Sequence, residues 1–392
     1  MADDCAGTSP AASSRLQEIR AEIDALDLDL LRLFNARAAL SREVGQIKAN
    51  SKGSIFQPGR EREVLERLMS QNPGQLPDEH LRAIWREILS SSRALQRPQD
   101  VAYLGPEGTF SYFAGLEYLG KSANFHPCRD IAQIFESVSS GRCGLGVVPL
   151  ENSLQGTVGA SFDLFLKHNV LIEAELYSRI SHCLLSNSPS LAAIKKVYSH
   201  PQPLAQCGQW LRAHLPNASL IPVESTAAAA HMAADDESAA AIGNCRLASM
   251  LELDILARSI EDEQGNWTRF VIIAPAREQL PLPQKDANKS SLLFTLPDRP
   301  GSLATVLELL AKHKVNMRKL ESRPLRGQPW RYVFFADVES DLNNPEHTGL
   351  VRELAENCTS FRILGSYPMG PQLDRITDAE RDKTEQGKQE NG

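Results

Sequence analysis

The stretch SRLQEIRAEIDALDLDLLRLFNARAALSREVGQIK, residues 14–48, decides how the first part of this chain folds. Its apolar residues recur at an unbroken spacing of three and four, which predicts one helix with a packing seam of about five heptads. Ser14 and Gln17 fit a capping box at the start of that helix. In order, the seam consists of Leu16, Ile19, Ile23, Leu26, Leu30, Leu33, Arg37, Leu40, Val44 and Ile47.

Arg37 is the residue of this seam that does not suit an apolar core. A buried guanidinium needs an anionic partner, because an unpaired buried charge is costly. Arg20 and Lys48 flank the seam and lie about 42 Å apart along one straight helix, so one small ligand cannot touch both. An antiparallel second copy would bring them together. Two interpretations remain open: a helical dimer with cationic pockets, or a coiled coil that tolerates one arginine.

Two further helices are predicted, separated by a break at Pro73–Gly74 and Pro77. The second helix opens with Arg60 and Glu61. The apolar stripe of the third continues through two polar residues, Ser92 and Gln96. All three helices therefore offer polar groups to a shared interior.

This pattern resembles the all-helical chorismate mutase family over about residues 15–97. The resemblance rests on the combined spacing of Arg20, Ala36-Arg37, Glu43-Val44-Gly45-x-x-Lys48, Arg60-Glu61, Ser92 and Gln96.

The resemblance implies a pericyclic rearrangement of chorismate, which needs positioning and electrostatic stabilisation rather than a nucleophile. Arg37, Arg60 and the partner subunit's Arg20 would bind the carboxylates of chorismate. Lys48 and Gln96 would donate to the ether oxygen. Glu61 would accept from the ring hydroxyl, with Ser92 assisting. The chain departs from the family at Gln57, where an acidic residue is common.

Length and composition restrict the possible classes of protein. The chain has 392 residues, 42% of them hydrophobic, which predicts two or three domains. A net charge of −7 argues against a general nucleic-acid binder, and no apolar run approaches the length of a membrane span. Seven scattered cysteines without a Cys-x-x-Cys pair predict reduced thiols in a cytoplasmic protein, with no metal and no cofactor.

After a short linker at residues 97–100 the pattern alternates strand and helix, which is typical of an open α/β sheet. Polar residues cluster after several strands, where such folds bind ligands, although helix capping explains any single cluster. The predicted strands are residues 101–104, 144–149, 182–185, 196–198, 220–223, 239–242 and 270–273. The clusters are residues 105–111, 151–153, 199–202, 224–226 and 243–244.

These clusters, with Asn266-Trp-Thr268-Arg269-Phe270, resemble prephenate dehydratase over about residues 100–277. The resemblance implies two α/β lobes, as in type II periplasmic binding proteins, and a reaction that expels a ring hydroxyl and carbon dioxide. Thr268 would donate to the leaving hydroxyl. Arg269 would bind substrate or serve as a structural ion-pair partner. The cleft would be lined by Glu151, Asn152, Ser199, Gln206 and Thr226, while His200 is a base or a loop-holding residue.

The third part follows a proline-rich linker at residues 274–283, and its predicted order βαββαβ is the ferredoxin-like split unit. It resembles an ACT regulatory domain through Arg299-Pro-Gly-Ser-Leu303 and Glu321-Ser-Arg-Pro324. The resemblance implies phenylalanine as effector. Its binding residues would be Gly301, Ser302, Leu303, Glu321, Ser322 and Arg323.

The sequence therefore predicts a disordered tail at 1–14, a mutase domain at 15–97, a dehydratase domain at 100–277, an ACT domain at 289–370 and a second disordered tail at 371–392. Their order resembles the bifunctional enzymes of phenylalanine biosynthesis. That resemblance implies chorismate and prephenate as substrates, feedback inhibition by phenylalanine, and a homodimer or higher homo-oligomer. The alternatives are a non-catalytic amino-acid-sensing regulator and a dehydratase whose mutase domain has decayed.

Overall fold

The computed structural model describes residues 10–49, 56–276, 286–325 and 331–373. The chain separates into two compact units. A helical unit contains the first helix and residues 91–98, and a larger unit contains residues 57–90 together with the chain from 99 onward.

Three helices make up the N-terminal part: α1 (Pro10–Ala49), α2 (Pro58–Ser70) and α3 (Asp78–Gln96). The long first helix is confirmed, but it begins at Pro10 and so runs through Ser14. Proline is tolerated in the first turn of a helix, and the two alanines that follow Pro10 are strong helix formers. The predicted capping box and the predicted tail at 1–14 are therefore wrong at this boundary.

The apolar seam of α1 stays open to solvent in a single chain. Its nine apolar residues each expose between 38% (Ile19) and 66% (Ile47) of their surface. Arg37 is half-buried. A continuous exposed apolar stripe of this length is typical of a protein–protein interaction site.

The first lobe of the α/β region is a twisted sheet with strand order β2-β1-β3-β11-β5, with β4 paired to β3. Its central strands are parallel, and β11 is antiparallel to both of its neighbours. The elements are β1 (Asp100–Leu104), α4 (Phe110–Leu119), β2 (Asn124–Cys128), α5 (Ile131–Ser139), β3 (Leu145–Asn152), β4 (Gly156–Thr157), α6 (Gly159–Lys167), β5 (Val170–Arg179) and, after the second lobe, β11 (Trp267–Pro275).

The second lobe has strand order β10-β6-β9-β7-β8, with parallel pairing around β7 and antiparallel pairing at β6. Both lobes thus repeat one arrangement, which confirms the two-lobed fold expected from the sequence. The elements are β6 (Cys183–Ser186), β7 (Lys196–Ser199), α7 (Pro201–Gln206), α8 (Gly208–His214), β8 (Ser219–Pro222), α9 (Thr226–Ala234), β9 (Ala239–Gly243), α10 (Arg246–Leu251) and β10 (Asp254–Ala257).

The third part is the predicted βαββαβ unit, with sheet order β13-β14-β12-β15. One face of this sheet packs on its own two helices through Leu292, Phe294, Val306 and Leu310. The elements are β12 (Lys289–Thr295), α11 (Ser302–Lys312), β13 (Met317–Pro324), β14 (Tyr332–Val338), α12 (Thr348–Asn357) and β15 (Ser360–Tyr367).

The other face of that sheet packs on the first lobe and shares its hydrophobic core. Leu293, Phe335 and Leu364 belong to one buried cluster with Phe162 and Phe165 of α6. The rings of Phe162 and Phe335 meet edge to face, with 4.5 Å between centroids. The first lobe and the third domain therefore stabilise each other by burying apolar surface in common.

Three expectations need correction. The predicted linker at 274–283 begins inside β11, and the predicted tail at 371–392 begins with residues that pair with β5, because Leu373 N–H donates to the Tyr177 carbonyl at 2.7 Å. The structure joins Cys183 and Cys245 in a disulfide, their Cα atoms 5.3 Å apart, where reduced thiols were expected.

No described helix is long and apolar enough to cross a membrane.

Candidate active sites

The helical unit brings together four of the predicted mutase residues. The Arg37 guanidinium donates to the Ser92 hydroxyl. Gly45 lets the end of α3 approach α1, since a Cβ atom on it would lie 2.8 Å from the Cα of Gln96. Lys48 follows Gly45 by one turn, and burial lowers its pKa. The Oε1 atom of Gln96 is buried without a hydrogen-bond partner in the described chain.

The remaining predicted mutase residues lie apart from this group or on another helix. Arg20 is exposed, and because α1 is unbroken it lies about 42 Å from Lys48. Arg60 is exposed on α2 and forms an ion pair with Glu63 at 2.7 Å. Glu61 lies beside it in the first turn of α2. One chain therefore does not bring Arg20 to the group formed by Arg37, Ser92, Lys48 and Gln96.

Thr268 lies at the start of β11, directly opposite Asn152 at the end of β3. The Asn152 amide donates to the Thr268 hydroxyl at 3.0 Å and to Asn266 Oδ1 at 2.6 Å. The amide oxygen of Asn152 accepts from the backbone N–H groups of Leu154 and Gln155, which fixes the orientation of the side chain. In the described chain the Thr268 hydroxyl thus accepts one hydrogen bond and keeps its own proton to donate.

The second lobe contributes three predicted cleft residues. Ser199 ends β7, is fully buried and donates to the Ile242 carbonyl at 2.8 Å. Thr226 opens α9 next to Gly243 of β9, where an added Cβ would lie 3.6 Å from the Thr226 Cβ. Gln206 ends α7, and its Oε1 lies 2.9 Å from Nε2 of His182, in the segment that links the lobes. His200 caps α7 by accepting from the N–H of Gln202, which supports its loop-holding role.

The lobes also touch through side chains at the predicted cleft. Gln202 donates to Gln155 at 2.8 Å, which joins α7 to the turn after β3. The segments that connect the lobes pair with each other, since the N–H of Ile180 donates to the Asn266 carbonyl at 2.8 Å. Asn266 therefore belongs both to the connection and to the Thr268 group.

Two of the predicted cleft residues lie on the opposite face of the sheet from Thr268. Successive residues of a strand point to opposite faces. Asn152 and Thr268 form one cross-strand pair, and Glu151 and Arg269 form the next. Arg269 is only 4% exposed and is directed to the third domain. The ion-pair interpretation of Arg269 is therefore favoured over the substrate-binding one.

Arg269 is the centre of a buried ion cluster between the first lobe and the third domain. Its Nε donates to Glu175 at 2.8 Å and its Nη1 to Asp337 at 2.5 Å. Lys289 lies 2.8 Å from Glu175 and 3.5 Å from Asp337. Burial alone would raise the pKa of Asp337, but Arg269 and Lys289 outweigh it and lower that pKa. Tyr367 completes the group and accepts from Nη2 of Arg269 at 3.2 Å.

The predicted effector residues lie in two places of the third domain. Gly301 has a left-handed backbone (φ 85°) before α11, with open space where a Cβ would be. Ser302 is buried and donates to the Pro297 carbonyl at 2.8 Å, and Leu303 packs at the edge of the domain core. Glu321, Ser322 and Arg323 lie on β13, where Arg323 faces Asp163 of α6 at 3.6 Å.

Sequence reasoning named Asn266 only as part of the motif around Thr268, without a role, and it missed Lys289, Lys319 and Asp337. For Asn266 a signal existed, because it stands two residues before Thr268 and so shares its face of an extended chain. The other three form ion pairs across the two domains with residues distant in sequence. No local pattern identifies such partners.

The comparisons with known proteins agree with this division. Residues 19–97 match the family model for chorismate mutase type II, residues 101–278 that for prephenate dehydratase, and residues 290–356 that for the ACT domain. A bifunctional chorismate mutase/prephenate dehydratase of Aquifex aeolicus is 42% identical over 90% of this chain and 98% of its own length. The Escherichia coli protein of that name is 32% identical over 90% of this chain and 96% of its own length.

Two solved structures each resemble about two thirds of the chain. One is a prephenate dehydratase from Arthrobacter aurescens in complex with L-phenylalanine, 31% identical with a TM-score of 0.62, covering 69% of this chain and 90% of that one. The other is the quorum-quenching acylase GqqA, 30% identical with a TM-score of 0.62, covering 69% of this chain and 98% of that one.

Proposed function

Since the chain belongs to the family of bifunctional chorismate mutase/prephenate dehydratases, we propose which of its residues carry out each reaction. The enzyme rearranges chorismate to prephenate and then converts prephenate to phenylpyruvate, carbon dioxide and water. The observation that supports the assignment best is the hydrogen bond from the Asn152 amide to the Thr268 hydroxyl.

In the dehydration, Thr268 donates its proton toward the ring hydroxyl as the carbon–oxygen bond breaks. The carbon–carbon bond to the ring carboxylate breaks at the same time, and its electrons complete the aromatic ring. A free hydroxyl is a weak acid, but accepting from Asn152 polarises it and strengthens its own donated hydrogen bond. Gln206 and Thr226 contact the substrate from the second lobe, and the buried Ser199 supports the end of β7 by donating to the Ile242 carbonyl. Glu151 and Arg269 lie on the opposite face of the sheet and position the strands that carry Asn152 and Thr268.

In the rearrangement, Arg37 and Arg60 bind the carboxylates of chorismate. Lys48 and Gln96 stabilise negative charge on the breaking ether oxygen, and the buried Oε1 of Gln96 leaves its amide N–H₂ end to donate to the substrate. Glu61 accepts from the ring hydroxyl, and Ser92 holds the Arg37 guanidinium.

The mutase site is completed by a second copy of the chain. The apolar seam of α1 is exposed over its whole length and fits another α1. In an antiparallel pair, the partner subunit's Arg20 comes close to Lys48 and supplies the remaining contact to a carboxylate. The proposed enzyme is therefore a homodimer or a larger assembly of such dimers.

Phenylalanine is the proposed effector of this chain. An ACT domain matches residues 290–356, and a related dehydratase was solved with L-phenylalanine. Gly301, Ser302 and Leu303 would hold its amino and carboxylate groups, together with Glu321, Ser322 and Arg323 of β13. Its ring would occupy an apolar gap between paired domains.

The test is to assay purified protein with chorismate and, separately, with prephenate, each with and without phenylalanine. Both substrates should turn over, and phenylalanine should inhibit the dehydratase. Deleting the ACT domain would expose the shared core around Phe162, so a point substitution tests the effector site more cleanly. Gly301→Val should weaken inhibition about tenfold and leave uninhibited turnover unchanged.

Gly74→Val is the matched control for that substitution. Gly74 also has a left-handed backbone (φ 91°) and open space around it, so it reports backbone strain without an effector site. Undiminished inhibition in Gly301→Val would remove Gly301 from the effector site.

A further inference from the structure

The strand that carries the effector motif also faces the dehydratase. β13 is an edge strand, and its residues Lys319, Glu321 and Arg323 are paired with Asp337, Phe335 and Val333 of β14. Paired residues share a face, and Phe335 packs on the first lobe. The side chains of Lys319, Glu321 and Arg323 therefore lie on the face directed to the first lobe.

Lys319 reaches a residue of the dehydratase domain directly. Its ammonium lies 2.7 Å from the Glu151 carboxylate, as an ion pair rather than an aligned hydrogen bond. The same ammonium lies 5.6 Å from the centroid of the Phe162 ring, within range of a cation–π interaction. The lysine side chain is 14% exposed and the glutamate side chain 36%, so water screens this pair less than a fully exposed one.

Glu151 joins this contact to the catalytic threonine. It precedes Asn152 on β3, and the two side chains lie on opposite faces of the strand. Asn152 holds the Thr268 hydroxyl at 3.0 Å. Arg269, which follows Thr268, lies 3.9 Å from the Glu151 carboxylate. A shift of Glu151 would therefore reach Thr268 along both β3 and β11.

Charge balance makes Lys319 important to this group. With Lys319 and Glu151 included, the ion pairs of the described residues join three cations to three carboxylates. Without Lys319 it would hold an excess negative charge at a site where burial weakens screening. Glu151, the most exposed carboxylate, would then be repelled by Glu175 and Asp337 and move most readily.

We propose that Lys319 is a positioning residue of the dehydratase, supplied by the ACT domain, which holds Glu151 and through it the Asn152–Thr268 pair. An effector bound at Glu321 and Arg323, two and four residues further along β13, acts on catalysis through this ion pair. The inference rests on the proposed roles of Thr268 and of phenylalanine.

The test compares Lys319→Met with Lys312→Met in the full-length protein. Lys312 pairs with Glu353 at 2.9 Å on the helical face of the same domain, so its substitution removes an equal charge away from the dehydratase. Dehydratase kcat and KM are measured with prephenate, with and without phenylalanine. Phenylalanine binding is followed by calorimetry.

We expect Lys319→Met to lower kcat several-fold with little change in KM, and to weaken inhibition about fivefold or more while phenylalanine still binds. Lys319→Arg should restore both properties. Loss of inhibition with an unchanged kcat would contradict the positioning role. A kcat and an inhibition equal to those of Lys312→Met, or loss of phenylalanine binding, would overturn the proposal.

If Lys319→Met fails to fold, Glu151→Gln breaks the same ion pair from the other side. If the variants fold, the double variant should lose no more kcat and no more inhibition than either single variant, because each substitution breaks the same ion pair. Additive losses would show that the two residues act separately. Failure of the proposed function itself would be distinct, because wild type would then not turn over prephenate or not respond to phenylalanine.

Discussion

The helical unit exposes apolar residues and separates its cations, whereas the core shared by the first lobe and the ACT domain buries both its apolar residues and its ion pairs. On α1 the nine apolar seam residues are exposed, and Arg20 lies far from the group around Arg37. In the larger unit Arg269, Glu175 and Asp337 are almost fully buried and satisfy one another within one chain. In our proposal the mutase site therefore takes a residue from a second chain, whereas the proposed dehydratase residues all come from one.

The sharpest way to test the independence of the two sites is to remove the Thr268 hydroxyl. Thr268→Val keeps the shape of the side chain but cannot donate, so dehydratase kcat should fall about a thousandfold. Mutase activity should stay at the wild-type level, and Thr268→Ser should retain much of the dehydratase rate. Substantial turnover of prephenate by Thr268→Val would show that another group is the proton donor.

The buried cluster should affect stability more than exposed ion pairs do. Asp337→Asn leaves Arg269 and Lys289 with one carboxylate fewer, and should cost the larger unit about 3 kcal/mol at neutral pH. Glu353→Gln breaks an exposed pair and should change the denaturation midpoint little. A loss in Asp337→Asn no greater than in Glu353→Gln would contradict the importance of the cluster.

The same variant has a defined pH dependence. Because the pKa of Asp337 is lowered in the folded protein, its stabilisation is present above the ordinary aspartate pKa and is lost as pH falls below about 4. The difference in unfolding free energy between wild type and Asp337→Asn should therefore shrink in acid. Denaturant titrations at several pH values would measure it.

Within the helical unit, Gln96→Glu tests the donor to the ether oxygen. An ionised carboxylate can only accept and would repel the developing charge, so mutase kcat should fall at least about tenfold at neutral pH. Protonation restores a donor, and activity should recover as pH falls. Gln71→Glu adds the same charge to an exposed residue at the end of α2. If the mutase activity of Gln96→Glu depended on pH as that of Gln71→Glu does, Gln96 would be excluded from the site.

Local patterns in the sequence were sufficient where a segment's secondary structure follows its own apolar periodicity. The helix α1, the βαββαβ order and seven strands of the two lobes were predicted within a few residues. β5 was missed because Glu173 and Glu175 interrupt its apolar run. Those carboxylates are buried, and Glu175 is stabilised by Arg269 and Lys289, 94 and 114 residues away.

The site residues likewise fall into those that a local motif reveals and those that depend on distant contacts. The motif around Thr268 was recognised from the sequence, but the alternation of faces that sends Arg269 and Glu151 toward the ACT domain depends on the pairing of β3 with β11. The contact of Lys319 with Glu151 depends further on how the sheets of two domains pack together. Spacing along the chain does not reveal packing between domains.

The most direct test of a mutase site shared between chains is to mix Arg20→Ala with Lys48→Ala protein and assay both activities. Each variant alone should have little mutase activity. After subunit exchange, half of the dimers are hybrids with one intact site of two, so about a quarter of wild-type mutase activity should return. Dehydratase activity should stay constant throughout and serves as the internal standard. Proven hybrid dimers without any recovery, or an Arg20→Ala variant that is fully active alone, would contradict the account.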